Sequence, residues 1–386
     1  MLFCAKGRGM KKSFFSKLLI VALTVTLVAV SLSFVGCNAS LKLEGSAKNV
    51  ILLIGDGMGL EHLEATKARY GFDSLYMESL TDFHGEMTTN SLNSEITDSS
   101  AASTAFSCGV KTNNKSVAQL NGENLENMDE FVSGHNMDMG IVVTEGITGG
   151  TPASFASHAK DRDKVNDIFN GYMASDVDLF ISQYDQSLME ANTGGFGSTL
   201  TRENNVTDAG FTRLTTKEQL TENAYSANKI FATVGEFNGY GETGGANLAE
   251  VSSFAINYLD QKSDNGFFLM IESSYIDKHS HKCDFEEVAE EIVAFDRAVQ
   301  VAIEWAKQDG NTMVIIVADH ETGGMVYNPG DDFDDKLFKT GDHSTANVGV
   351  FIYGLNGGDA FDNGKVFDNT EIGQIIRQYI KNYRTK

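Results

Sequence analysis

The chain has 386 residues, 41% of them hydrophobic, and carries 53 acidic against 30 basic side chains for a net charge of −23. That apolar content suffices for a true core and excludes a disordered or fibrous protein. The negative field opposes nucleic acid, so an anionic substrate is drawn in only where metal ions or a placed arginine reverse the sign locally.

Residues 1–36 contain five of the bases (Lys6, Arg8, Lys11, Lys12, Lys17) and no acid, so the rest of the chain sets 25 bases against 53 acids, a net −28. A basic patch, an apolar run over 18–35 and small residues before a cysteine form the layout of an export signal. The ending FVGC resembles a bacterial lipobox, which implies cleavage before Cys37 and a lipid on its thiol. The expectation is a signal over 1–36, a tether over 37–46 and an exported lipoprotein anchored to the membrane on its periplasmic or cell-surface side. An uncleaved anchor is the rival, because ~18 apolar residues just span a bilayer. Met10, followed by KKS, is an alternative start.

From residue 47 onward, apolar runs alternate with helix-like stretches: VILLIG from 50, MGIVVT from 139, DLFIS from 178, FFLMIE from 267, TMVIIVAD from 312 and VGVFIYG from 348. Runs of this length, separated by amphipathic segments such as EEVAEEIVAFDRAVQVAIEWAKQ, predict a mostly parallel β-sheet with helices on both faces, an α/β sandwich over 47–386. Between 187 and 247 the pattern gives way to Gly, Asn and Thr, which reads as an insertion near the sheet edge rather than a second domain. Of the four cysteines, Cys4 and Cys37 belong to the leader, and spacing says nothing on whether Cys108 and Cys283 pair.

Ligands of open α/β sheets bind beyond the carboxyl ends of the strands. Polar side chains collect there: Asp56 after VILLIG, Thr144 and Thr151 after GIVV, Glu272 closing FFLMI, and Asp319 with His320 after VIIVA. IDKHSH adds Asp277, His279 and His281, and GDHS adds His343. This mixture of carboxylates and imidazoles suits Zn²⁺, whereas Asp56, Thr151 and Glu272 offer only oxygen, which suits Mg²⁺. His62, His84, His135 and His158 read as surface or hydrogen-bonded histidines. The loop GDGMG has the spacing GxGxG with an acid inside it, unlike the GxGxxG of a dinucleotide site. Its glycines 55, 57 and 59 read instead as hinges that present Asp56. In ITDSSAASTAF a serine opens a small-residue helix; Ser99 and Ser100 are both candidates for a helix cap or for a nucleophile poised on a helix dipole.

In this order, GDGMG, TDSSAAST with GVKT, TPASFASHAKDR, ESSYIDKHSH, ADHETGG and GDHSTA resemble the motifs of the alkaline phosphatases, over about residue 49 to the C-terminus. The resemblance implies hydrolysis of small-molecule phosphomonoesters through a phosphoserine on Ser99, selected over Ser100 by counting back from GVKT. It implies two zinc ions, one held by Asp277, His281 and His343 and one by Asp56, Asp319 and His320. It further implies one magnesium held by Asp56, Thr151 and Glu272, an Arg162 that grips phosphate, and a Lys278 that reaches phosphate through water. A homodimer and a role in phosphate scavenging are also expected. The chain departs from the pattern at Gly149, where family members carry Asp or His, and this puts the third cation in question. His279 lies between the expected ligands as a competitor of His281.

A sulfatase needs a CxPSR-like run, which is absent. A phosphodiesterase of the same superfamily shares metal ligands but lacks the serine motif and the arginine. A nucleotide- or solute-binding lipoprotein leaves Asp277, His281, His320 and His343 without a use, and an inactive relative is the alternative that Gly149 raises.

Overall fold

In the seven-residue strand Asn49–Gly55 (β1) every residue is buried, as a strand with hydrogen-bonded neighbours on both edges and helices on both faces must be. The computed structural model describes residues 43–191, 201–362 and 364–385; the expected export signal and Cys37 lie outside them. Among the described residues no helix is long and apolar enough to cross a membrane.

In chain order β1 is followed by α1 (Leu60–Tyr70), β2 (Phe83–Thr88), α2 (Ser99–Cys108), β3 (Asp138–Val143), α3 (Gly150–Ala156), β4 (Leu179–Gln183), β5 (Thr212–Leu214) and β6 (Ile230–Val234). Then come α4 (Leu248–Lys262), β7 (Phe267–Ser273), α5 (Tyr275–Ser280), α6 (Phe285–Asp309), β8 (Thr312–Val317), β9 (Val348–Tyr353), β10 (Val366–Asp368) and α7 (Asn369–Arg384). The ten strands form one sheet in the order β10-β2-β9-β8-β1-β7-β3-β4-β6-β5. One helical layer packs α6 against α1, α4 and α5; another packs α2 against α3 and α7. The expected α/β sandwich is therefore present.

The register is fixed by the apolar runs. Val50 to Ile54 face Met313 to Val317 on one side and Phe268 to Glu272 on the other, all parallel. The longest helix, α6, buries Phe285, Val288, Ala289, Ile292, Phe295, Val299, Ala302, Ile303 and Ala306, spacings of three and four that make one apolar stripe. It stops at Gly310, whose φ of 75° is the left-handed cap that glycine adopts without strain.

Direction is where the sequence misleads. VGVFIYG is as apolar as the other runs, yet β9 is antiparallel to both β8 and β2. An antiparallel strand starts where its predecessor ended, so the whole connection 318–347, with ADHETGG and GDHSTA, stays at one end of the sheet without a crossover. The Gly-rich stretch supplies β5 and β6 at the far edge of the sheet. At the N-terminal side the expected tether needs shortening: Glu44 and Gly45 donate backbone N–H groups to the Asp359 carboxylate and Ser46 donates to Asn356. These residues are therefore fastened to the body, which is one compact unit from Leu43. Cys108 and Cys283 are both free thiols, and burial pushes the Cys108 thiol up to about 12.

Candidate metal centre and active site

Strands β8, β1, β7 and β3 are parallel neighbours, so their carboxyl ends open side by side. Asp319 comes two residues after β8, Asp56 one after β1, and Glu272 is the penultimate residue of β7. All three are buried. The loop after β1 is held tightly. Asp56 donates its N–H to the Ser273 carbonyl, and Gly57 donates to Oδ1 of Asp319 at 3.1 Å. Of the three loop glycines only Gly57 has positive φ, 74°, and a Cβ there would stand 2.8 Å from the Thr322 hydroxyl and 2.9 Å from the Asp277 backbone. Gly55 and Gly59 are needed for space rather than for a bend: a Cβ on Gly59 would meet Glu321 at 2.4 Å. Gly57→Ala is expected to lower unfolding stability by at least ~1–2 kcal/mol from the left-handed strain alone, read as a lower denaturant midpoint; an unchanged midpoint contradicts the packing described.

Two clusters follow. Ligand atoms of Asp277, His281 and His343 lie within 4.8 Å of one another, as do those of Asp56, Asp319 and His320. In the first, Nε2 of His281 is 3.3 Å from Oδ2 of Asp277 and Nε2 of His343 is 3.5 Å from its Oδ1. The opposite nitrogens are tied back: Nδ1 of His281 to the Gly341 carbonyl at 2.6 Å and Nδ1 of His343 to the Thr97 carbonyl at 2.9 Å. With Nδ1–H donating to a carbonyl, Nε2 points into the cluster, and once deprotonated it presents the lone pair a metal ligand needs. In the second, Nε2 of fully buried His320 is 3.4 Å from Asp56 and 3.3 Å from Asp319. The His320 and His343 rings stack with centroids 3.5 Å apart, so the clusters adjoin.

Electrostatics of the metal-free groups show the strain of this crowding. Burial, then the Asp319, Asp277 and Glu272 charges, push Asp56 well above the carboxylate range. Burial and Glu145 do the same to Glu272. Burial also opposes ionisation of Asp277, but hydrogen bonds from His281 and His343 outweigh it and hold this carboxyl below its ordinary value. The same bond lifts His281 to about 9. Oδ1 of Asp56, Oδ2 of Asp319, both oxygens of Glu272 and the Thr151 hydroxyl are buried without a hydrogen-bond partner. Orphan oxygens at such depth are satisfied by a cation, so the residues present fit metal ions.

Ser99 is the first residue of α2 and only 4% exposed, with Oγ 3.3 Å from Nε2 of His320. The cap is neither serine: Asp98 accepts from the Ala101 N–H, from the Lys115 N–H and from the Ser100 hydroxyl at 2.7 Å. Ser100 is thus committed to Asp98, whereas Ser99 faces the clusters. Arg162 sits over Gly150 and reaches Oδ2 of Asp98 at 3.3 Å. Lys278 pairs with Glu145 and lies 4.7 Å above the Tyr275 ring. His279 lies tilted against the Tyr275 ring and is in neither cluster. His62 is buried on Ser280, and His84, His135 and His158 bond Thr81 or main-chain carbonyls. Thr144, expected to present its oxygen to the crevice, has its hydroxyl engaged with the main chain, where it accepts the Ser274 N–H at 2.9 Å and ties the end of β3 to that of β7. Thr322, not singled out from the sequence, donates to Oδ1 of Asp277 at 2.6 Å and touches Nδ1 of His320 at 3.2 Å, linking the clusters. Its place two residues after His320 in ADHETGG was the available signal.

Fold and site together define an α/β protein with paired metal-binding clusters beside a buried serine. The Alkaline phosphatase family model matches residues 47–193 and 240–378, interrupted within the Gly-rich stretch. Alkaline phosphatases 4 and 3 of Bacillus subtilis are each 32% identical, over 75% and 81% of this chain and 65% and 71% of their own length. The chain thus spans about two thirds of those relatives. The structure of alkaline phosphatase from the Antarctic bacterium TAB5 matches with a TM-score of 0.75 at 30% identity, covering 87% of this chain and 99% of that one. A variant of that enzyme has magnesium bound in its M3 site. The chain belongs to the alkaline phosphatase family, and so to a family of metal-dependent phosphatases.

Proposed function

We propose that the protein hydrolyses phosphomonoesters through a phosphoserine on Ser99, with zinc in each of the two His/Asp clusters and magnesium among Asp56, Thr151 and Glu272. The observation that carries this reading is the Ser99 hydroxyl beside His320 where the two clusters adjoin. The mixed nitrogen and oxygen donors suit zinc, and the oxygen-only set suits magnesium. When bound, paired cations stabilise the attacking and leaving oxygens of an in-line displacement and lower the pKa of a nearby hydroxyl.

The chain's own residues supply the rest. Asp98 caps α2 and keeps Ser100 occupied, which leaves Ser99 Oγ at a helix N-terminus where negative charge is favoured. Ser99 Oγ forms the bond to phosphorus as the ester oxygen departs and takes up a proton. Water then attacks the phosphoserine, releasing inorganic phosphate and restoring the hydroxyl. Arg162, held by Asp98, presents a fork that matches two free phosphoryl oxygens. A monoester keeps both oxygens free and a diester does not.

Hydrolysis of p-nitrophenyl phosphate and of bis-p-nitrophenyl phosphate, side by side, tests the reading. A strong monoester preference is expected; faster diester cleavage points to a phosphodiesterase instead, and no turnover of either to an inactive relative. Arg162→Ala is expected to lower kcat/KM for the monoester by roughly 10²-fold, from the loss of two charge-assisted hydrogen bonds, and to narrow the preference over the diester. Export, a lipid on Cys37, phosphate scavenging and a homodimer complete the proposal. The layout of residues 1–37 supports the first two; metabolic labelling with palmitate in the parent and in Cys37→Ala tests them.

A further inference from the structure

Gly149 leaves a gap where a side chain would project, next to the helix that bears Thr151, and another residue fills it. Oε1 of Glu145 lies 2.1 Å from where a Cβ on Gly149 would stand. The other oxygen, Oε2, pairs with Lys278 on α5. Glu145 follows Thr144 on the loop from β3 to α3, so it enters the same crevice from a different point of the backbone. Across that crevice fully buried Glu272 and the buried Thr151 hydroxyl face each other without a well-formed hydrogen bond.

We propose that Glu145 is a positioning residue of the Glu272, Thr151 and Asp56 cation site, its carboxylate replacing from the β3–α3 loop the side chain that Gly149 lacks. The inference rests on the reading of that site as one for a hard divalent cation. An oxygen donor beside an oxygen-only set suits such an ion, which keeps several waters and needs acceptors to orient them. Consistent with the placement, burial and then the Glu145 charge raise the Glu272 carboxyl, and Glu145 is among the charges that raise Asp56. Lys278 pairs with Oε2 of Glu145 and so orients the carboxylate. Gly149 and Glu145 are then one device: a side chain at 149 would push the Glu145 carboxylate out of its present place.

The test is magnesium binding by calorimetry to zinc-loaded protein, with metal content measured in parallel. Glu145→Gln is expected to weaken magnesium by about 10-fold or more, the scale for partners that orient a site's ligands, with zinc content unchanged. Gly149→Asp in a Glu145→Ala background is expected to restore binding. The loss should persist in Glu145→Gln/Lys278→Met, which removes the freed ammonium; recovery there overturns the assignment, because the effect would then be repulsion by Lys278. Parent-like magnesium affinity in Glu145→Gln also overturns it. Glu272→Gln separates the two levels: if it loses magnesium while Glu145→Gln does not, only the Glu145 assignment fails. If neither changes, the cation site fails and the assignment with it.

Discussion

Ser99→Ala protein is expected to lose p-nitrophenyl phosphate hydrolysis by at least ~10³-fold in kcat, because Ser99 is the hydroxyl beside the adjoining clusters and is proposed to form the bond to phosphorus. The geometry makes this a discriminating experiment. Both serines open α2 and are buried, and both are small hydroxyls in one motif. Ser100 spends its proton on Asp98, so Ser100→Ala is expected to weaken only the cap and keep kcat within about tenfold of the parent, the loss of one hydrogen bond to a charged group. Circular dichroism and metal content of both variants separate lost chemistry from lost fold. Full activity in Ser99→Ala, or its abolition in Ser100→Ala alone with metals and fold intact, reverses the assignment.

Chelation is expected to remove activity entirely and to make stability fall as pH rises. In the metal-free protein burial and neighbouring carboxylates raise Asp56 and Glu272, and the bond to Asp277 raises His281 to about 9. All three shifts share one sign. The folded state holds protons that the unfolded chain has released, so their contribution is complete below the unfolded values and is lost as pH climbs through the folded ones. Burial lowers His320, and lowers His62 to about 4, which gives the opposite slope below the ordinary histidine value, so the melting temperature of stripped protein should decline from about pH 7 to 9, the window that ends at the raised His281. On the proposed reading zinc and magnesium would replace those protons, so readdition should restore activity, flatten the profile and add about 4 kcal/mol per site at a thousandfold excess over Kd. A melting temperature that is level or rises over that window in stripped protein contradicts the crowded, cation-requiring clusters described above.

The two clusters were legible because each ligand stands in a short motif, and its backbone position, beyond a strand end, follows from the strand pattern. Asp56, Glu272 and Asp319 needed only the apolar runs before them. Asp277 and His281 came from the resemblance of ESSYIDKHSH to the family motif, and their spacing of four, about one helical turn, favours His281 over His279. The roles that were misjudged depend on partners distant in sequence. Thr144 looked like a site oxygen until Ser274, 130 residues away, took its hydroxyl. The cap of α2 went to Asp98 rather than to a serine, because Asp98 alone gathers the Ala101 and Lys115 amides and Arg162.

Hydrophobic periodicity and motif chemistry, which act over a few residues, were enough to specify an α/β sandwich with a metal crevice at its strand ends. The direction of β9 and the bridging of the clusters by Thr322, whose partner Asp277 lies 45 residues away, were not available at that range. Each depends on which side chain first reaches a given volume or hydrogen-bond partner once the sheet has assembled, and that competition is between residues tens to hundreds of positions apart.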